Sequence, residues 1–166
     1  MLTTPRLLLR PQEARDAEVF HQLWSERDPR VPAHRRLDVQ GRPSADDIAL
    51  NIKESGTSSL LLSVVLRESA TLIGYAGLVF NGKGAEEEPE IAFELLHSRQ
   101  LNGYATEAGA AVLGWARELG HRRVWASVWD WNVASRRVLE KLGFRDSGAQ
   151  QPIAEHGRMI LTVREL

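Results

Sequence analysis

Two stretches of this sequence combine residue types and spacings that could hold a ligand and act on it. The first reads Arg99-Gln100-Leu101-Asn102-Gly103-Tyr104-Ala105-Thr106. It makes a tight turn into the start of a helix, and Gly103 and Ala105 leave room for a ligand to approach the backbone. The first amides of a helix lack internal partners and sit at the positive end of its dipole, which suits a pyrophosphate. Arg99 adds a formal charge that can pair with phosphate. Taken by itself, the stretch also reads as an ordinary strand-to-helix connection, because short glycine patterns are common. The second stretch begins at Asn132 and ends in Lys141-Leu142-Gly143-Phe144. Asn132 suits a helix N-cap, and capping is compatible with ligand contact. Ser135 lies one turn in, where a serine is usually solvated or locally bonded.

The elements that must position these stretches follow from periodicity. A strand is predicted over 6–10, stopped by Pro11, then a helix over 14–26 with Ala17, Phe20, Leu23 and Trp24 at helical spacing. Residues 30–43 form a polar loop. A second helix starts at the cap Ser44, with Asp47 at its third position, and ends near Gly56. The runs 59–67 and 72–80 form a hairpin. A strand over 90–97 places Ile91, Phe93 and Leu95 on one face and Glu90, Ala92 and Glu94 on the other. Residues 103–119 make the most regular helix, with an apolar stripe of Tyr104, Ala108, Ala111, Val112, Trp115 and Leu119 before Gly120. A strand over 123–129, a short helix over 133–142 and terminal strands complete the order βααβββαβαββ. That order implies a mixed sheet with helices packed on its faces.

Composition narrows the function. The chain of 166 residues fits one domain, spanning 1–166, and its formal net charge of -1 indicates no general nucleic-acid field. It contains no cysteine, which removes disulfides, thiolate metal sites and a cysteine nucleophile. His21, His34, His97, His121 and His156 are dispersed without ligand spacing, so no metal site is expected. No apolar run approaches the ~20 residues of a membrane span, and the reading is a cytoplasmic protein. The acidic run Glu86-Glu87-Glu88 reads as a solvated loop.

With both stretches and their flanking elements in view, the sequence resembles the GCN5-related N-acetyltransferase (GNAT) superfamily. Within it, the sequence is most similar to the branch typified by the ribosomal-protein N-terminal acetyltransferases. The resemblance covers essentially the whole chain. It includes the opening Thr4-Pro5-Arg6-Leu7-Leu8-Leu9-Arg10, the run Ile73-Gly74-Tyr75-Ala76-Gly77-Leu78, and Glu90-Ile91-Ala92-Phe93-Glu94-Leu95. Gln100, Gly103 and Ala105 match the Q/R-x-x-G-x-G/A cofactor signature, and Asn132-x-x-Ser135 looks like the second signature of the branch.

The resemblance implies an α+β fold with a mixed, mainly antiparallel sheet, helices on both faces, and a V-shaped opening between the strands at 90–97 and 123–129. It implies acetyl-coenzyme A as co-substrate, without a metal. The pantetheine arm would lie along the backbone of Leu95, Leu96 and His97, in the manner of an added strand. The pyrophosphate would sit on the loop and helix start made by Arg99, Gln100, Leu101, Asn102, Gly103, Tyr104, Ala105 and Thr106. Asn132 would hold the cofactor near its reactive end, and Arg137 would reach its phosphates. Many superfamily members place a tyrosine acid where this chain has Leu139, which cannot donate a proton. By position in the branch signature, Ser135 inherits the contact to the departing sulfur.

Glu90 and Glu94 share a strand face, and either could order a water beside the attacking amine. At pH 7 an α-amine with pKa ~8 costs about 1.4 kcal/mol to deprotonate, and a lysine at ~10.4 costs about 4.6 kcal/mol. A site without a strong base therefore favours a protein or peptide N-terminus. Acetylation of a small amine such as an aminoglycoside or polyamine, and a non-catalytic acetyl-coenzyme A sensor, are the alternatives. The acceptor pocket is expected from the loop at 30–43 and the final hairpin at 150–157, and a homodimer is compatible with the sequence.

Overall fold

The computed structural model describes residues 1–56, 59–82, 87–149 and 153–166. Its strands are β1 (Leu2–Thr3), β2 (Leu7–Pro11), β3 (Leu61–Leu66), β4 (Leu72–Val79), β5 (Glu90–Leu95), β6 (Arg123–Trp129), β7 (Arg145–Asp146), β8 (Ile153–Ala154) and β9 (Gly157–Glu165). Its helices are α1 (Ala17–Ser25), α2 (Ala45–Ser55), α3 (Tyr104–Glu118) and α4 (Val133–Lys141). The strand order is β1-β2-β3-β4-β5-β6-β9-β7, with β8 on β9. Every pairing is antiparallel except β5 with β6. The α+β fold is thus the expected one, with short strands added at both ends and Pro11 paired to Leu62 rather than outside the strand.

Local chemistry sets the helix ends. The Ser44 side chain accepts from the Asp47 N–H while the Asp47 carboxylate accepts from the Ser44 N–H, a reciprocal cap for α2. Asn132 caps α4 by accepting from the Ser135 N–H at 3.1 Å. At the start of α3, Gly103 takes a left-handed conformation, φ 79°, which a residue with a side chain rarely adopts.

Helices cover both faces of the sheet. On one, α1 and α2 bury Ala17, Phe20, Leu23 and Ile48 against Leu96, Leu72 and Tyr75. On the other, α3, α4 and the α4 C-cap Leu142 bury Ala108, Val112, Leu113, Ala116, Leu139 and Leu142 itself against residues such as Ile73, Ala76, Val124 and Ala126. The buried stripe of α3 is rotated from the expected one. Ala108, Gly109, Val112, Leu113 and Ala116 form it, and Leu119 is half exposed. Close packing is the cause: a Cβ on Gly109 would lie 2.5 Å from Leu142 Cδ1. The helix therefore turns its small residues inward, and Tyr104 and Trp115 pack at the margin.

One break in the sheet matters for function. β5 and β6 are in register at a single pair, Glu90 with Trp125, and the Trp125 N–H reaches the Pro89 carbonyl at 2.9 Å. β6 then runs on along β9 through seven paired positions, Arg123 to Trp129. The two strands diverge and open a V.

Candidate active site

The V is the mouth of a cleft of about 820 Å³, lined by β5, the start of α3, the end of β6 and the first turns of α4. Strand alternation fixes which backbone groups face it. Pro89 bonds towards β6, and the Leu96 N–H bonds the other way, to the Ile73 carbonyl. Odd-numbered residues of β5 therefore point their backbone groups into the V, which puts Phe93 and Leu95 on its open edge. Of the three residues expected to receive the pantetheine arm, Leu95 is the one that turns its N–H to this edge. Its carbonyl is held by the Gln100 side chain at 3.0 Å. The Leu96 side chain is buried under α1, and the His97 N–H is bonded to Glu26 at 2.8 Å. Sequence periodicity named the strand but not the parity of its edge, so it missed Phe93.

At the far end of β5 the cleft meets α3. The N–H groups of Tyr104, Ala105 and Thr106 are the free first-turn donors of a helix of 15 residues, and all three residues line the cleft. The loop before them is held by its own side chains: the Asn102 amide donates to the Gln100 carbonyl at 2.8 Å. Leu101 adopts φ 62° with its side chain 99% exposed. A leucine in the left-handed region is strained, and such strain gathers where a loop is shaped for a ligand. Leu101 and Gly103 also line the cleft, whereas Asn102 works from behind. Arg99 and Arg137 face the same end as exposed cations, with Lys141 beside them. Asn132 and Ser135 line the wall opposite β5. These residues suit an acyl-coenzyme A: an open strand edge for the arm, free helix amides for the pyrophosphate and cations for the remaining charge.

The two strand glutamates have different surroundings. Glu94 accepts from Arg27 Nε at 2.8 Å and Nη2 at 2.6 Å, and from the Tyr75 hydroxyl at 3.0 Å. Arg27 also donates to the Arg35 carbonyl at 2.6 Å and lies over the Trp24 ring. Burial works against the Arg27 charge, but the Glu94 hydrogen bonds outweigh it and raise its pKa. Burial and the Glu94 charge push the Tyr75 phenol above its ordinary range, so it stays protonated and donates. Glu90 lies deeper, 4% exposed. One of its oxygens accepts from the Ser127 hydroxyl at 2.8 Å. Its other oxygen, Oε1, is buried with no hydrogen-bond partner among the described residues. Both glutamates line the cleft. Arg27, Tyr75 and Ser127 carry no sequence signal of their own, since each meets its glutamate only through the fold.

The end of the cleft away from α3 is walled by the segment after α1, where Asp28 pairs with Arg30, and by Trp129 and Trp131. Arg30 stacks on Trp131 at 4.2 Å, and the Trp129 and Trp131 rings lie 6.4 Å apart within 6° of parallel. Gln150, Gln151 and Pro152 of the expected acceptor hairpin, and Glu86 of the acidic run, lie outside the described residues. Among the described residues no cluster of three or more His, Asp or Glu side chains is arranged to hold a metal ion. No helix among them is long and apolar enough to cross a membrane.

Comparison with known proteins bears on this geometry. The acetyltransferase (GNAT) domain family matches residues 6–145. The uncharacterized N-acetyltransferase YnaD of Bacillus subtilis (strain 168) is 31% identical over 148 residues, spanning 89% of this chain and 84% of that protein. A GNAT-family acetyltransferase from Bacillus anthracis shares the fold at a TM-score of 0.76 and 23% identity, over 98% of this chain and 95% of that one. The yncA protein of Salmonella typhimurium, solved with its cofactor acetyl-CoA, superposes at a TM-score of 0.73 and 18% identity, over 96% of this chain and 94% of that one. With the splayed β5 and β6, the glycine-led α3 and a family match over most of its length, the chain belongs to the GNAT acetyltransferases, a family of enzymes that use acetyl-coenzyme A.

Proposed function

We propose that this protein transfers an acetyl group from acetyl-coenzyme A directly to a primary amine, and that a protein or peptide N-terminus is the amine. The observation that carries the first part is the divergence of β5 from β6 immediately after Glu90, which leaves Phe93 and Leu95 on an open edge leading to the start of α3. In this reading the backbone of Phe93 and Leu95 takes the pantetheine arm, and the N–H groups of Tyr104 to Thr106 take the pyrophosphate. Arg99 and Arg137 balance its charge. The Ser135 hydroxyl, on the opposite wall, donates a hydrogen bond to the sulfur as it gathers charge.

Glu90 accepts the amine proton, through an ordered water. It has an oxygen free for that water, whereas both oxygens of Glu94 are engaged by Arg27. Glu94 instead fixes Arg27 and Tyr75 as a rigid floor on the acceptor side.

The acceptor assignment rests on the acids of the cleft. Glu26 is bonded to the His97 N–H, Asp28 to Arg30, and Glu94 to Arg27. A polyamine or aminoglycoside needs several uncommitted carboxylates to hold its extra cations. Two of these acids, Asp28 and Glu94, are already paired with arginines, while Glu26 is held by neutral amides. An N-terminal amine, with its lower pKa, asks less of a single buried base.

Thiol release from acetyl-coenzyme A, measured with peptides of varied N-terminal residue and with a panel of small amines, tests the reading. Release that depends on a free peptide α-amine is the expected result. Faster turnover of spermidine or an aminoglycoside would reassign the acceptor. Tight binding of the cofactor with no turnover on any amine would make the protein a sensor.

A further inference from the structure

The opening motif, Thr4-Pro5-Arg6, lies far in sequence from the cofactor loop, yet the fold brings the two together. Arg6 donates from Nε to Glu107 at 2.6 Å and from Nη1 to the Asn102 carbonyl at 3.0 Å. Its backbone N–H donates to the same carboxylate at 2.9 Å, and the Thr4 hydroxyl does so at 2.6 Å. The Arg6 guanidinium also lies over the Tyr104 ring, 4.6 Å from its centroid. Its Nη2 is 3.4 Å from where a Cβ on Gly103 would sit. One side chain therefore touches Asn102, Tyr104 and Glu107 and lies beside Gly103, all in the turn and first helical turn that open α3. Gly103, Tyr104, Ala105 and Thr106 line the cleft, and Arg6, Thr4 and Glu107 are not among its lining residues.

We infer that Arg6 and Glu107 are positioning residues that clamp the pyrophosphate loop from behind, Arg6 setting the loop and neutralising the Glu107 carboxylate that the first turn of α3 carries beside the phosphate site. The inference rests on the cofactor site proposed above. Electrostatics explains why both halves are needed. A glutamate in the first helical turn is favourable for the helix dipole but repels a dianionic pyrophosphate bound one turn away. Burial works to raise the Glu107 pKa, but hydrogen bonds from Thr4 and from the Arg6 backbone and side chain outweigh it, so Glu107 stays ionised. The charge must then be balanced in place, and Arg6 does so with a fork that also fixes the Asn102 carbonyl. That carbonyl belongs to the residue directly before Gly103, so its position sets where the free N–H groups of the turn point.

The test measures binding of coenzyme A by calorimetry and of pantetheine, which lacks the pyrophosphate, by NMR titration. Arg6→Ala is expected to weaken coenzyme A by about tenfold, equivalent to about 1.4 kcal/mol, and to leave pantetheine within about twofold. Arg6→Lys retains a cation beside Glu107 but not the fork, and is expected to lose about threefold, which keeps the test alive if Arg6→Ala does not fold. Thr106→Glu is the reference: a charge favourable to the helix start and unfavourable to a phosphate in the cleft. If Thr106→Glu weakens coenzyme A and neither Arg6 variant does, the clamp is wrong and the cofactor site stands. If Thr106→Glu has no effect, the cofactor site is wrong and the clamp falls with it. Equal losses for coenzyme A and pantetheine would also overturn the inference, because they would show general damage rather than a misplaced pyrophosphate loop.

Discussion

Glu90 and Glu94 stand four residues apart on one face of β5, and the fold gives them unlike work. Glu90→Gln removes the proposed proton acceptor, whose second oxygen is buried with no hydrogen-bond partner among the described residues, and the amide keeps its shape. The expected result is a loss in kcat of roughly 100-fold, in the range of a positioned base, with coenzyme A affinity and melting temperature little changed. Steady-state rates beside thermal unfolding check this. Glu94→Gln should show the opposite pattern. It leaves Arg27, whose side chain is 9% exposed, without its counter-charge. Removing one partner of a buried pair is expensive, and because Glu94 is partly exposed a loss of roughly 2 kcal/mol of stability is expected. An unchanged melting temperature together with a collapse in kcat would exchange the two assignments.

At the scale of elements, β2 and the start of α1 are joined by a buried carboxylate. Asp16, 3% exposed, accepts from Arg10 Nη1 and Nη2, both at 2.7 Å, from the Ser63 hydroxyl at 2.6 Å and from the Glu13 N–H at 2.9 Å. These contacts tie β2 and β3 to the turn that starts α1, and so set where Arg27 and the acceptor wall stand. Burial works to raise the Asp16 pKa, but the hydrogen bonds outweigh it and the folded value lies below the ordinary one. The folded state then binds this proton more weakly than the unfolded chain. The contribution of Asp16 is full above the ordinary carboxylate range, declines as pH falls through it, and is lost below the folded pKa. Urea unfolding from pH 7 to pH 3 should show the wild type losing stability more steeply than Asp16→Asn, with the two converging at the acid end. Parallel slopes would mean that the folded pKa is not depressed. The same logic links the residue before β2 to α3 through Arg6 and Glu107, where the partners are 101 positions apart.

The whole molecule is organised as a channel with two ends. Cations and helix amides gather at the start of α3 and along the later turns of α4, and the aromatic wall of Trp129 and Trp131, just before α4, faces the other end. In the proposed reading a donor and an acceptor entering opposite ends meet between Glu90 and Ser135, which both line the cleft. Transfer then needs no covalent relay, and proximity alone can supply roughly 7 to 11 kcal/mol. The chain has no cysteine to act as a relay. Initial-rate lines should intersect when acetyl-coenzyme A and the amine are both varied, and the intact mass after incubation with acetyl-coenzyme A alone should be that of unmodified protein. A stoichiometric acetyl adduct that an added amine then removes at a competent rate would overturn direct transfer.

Local features were readable from neighbouring residues alone. Ser44 and Asp47, and Asn132 and Ser135, are partners three residues apart, so the caps of α2 and α4 are written in adjacent letters. Gly120 takes the left-handed conformation expected just past α3, and Gly103, read as making room for a ligand, takes one at its start. The alternation of β5 placed both glutamates on one face. What each faces depends on distant segments that folding brings together. Glu94 meets Arg27 across 67 positions and Glu90 meets Ser127 across 37, and no periodicity encodes a partner at such range. The rotated stripe of α3 has the same origin. Hydrophobicity ranked Leu119 and Trp115 as inward, while close approach to Leu142 required Gly109 there instead. Burial pattern is a property of one segment, but which carboxylate keeps a free oxygen depends on where two strands part, and that is fixed by the packing of the whole sheet.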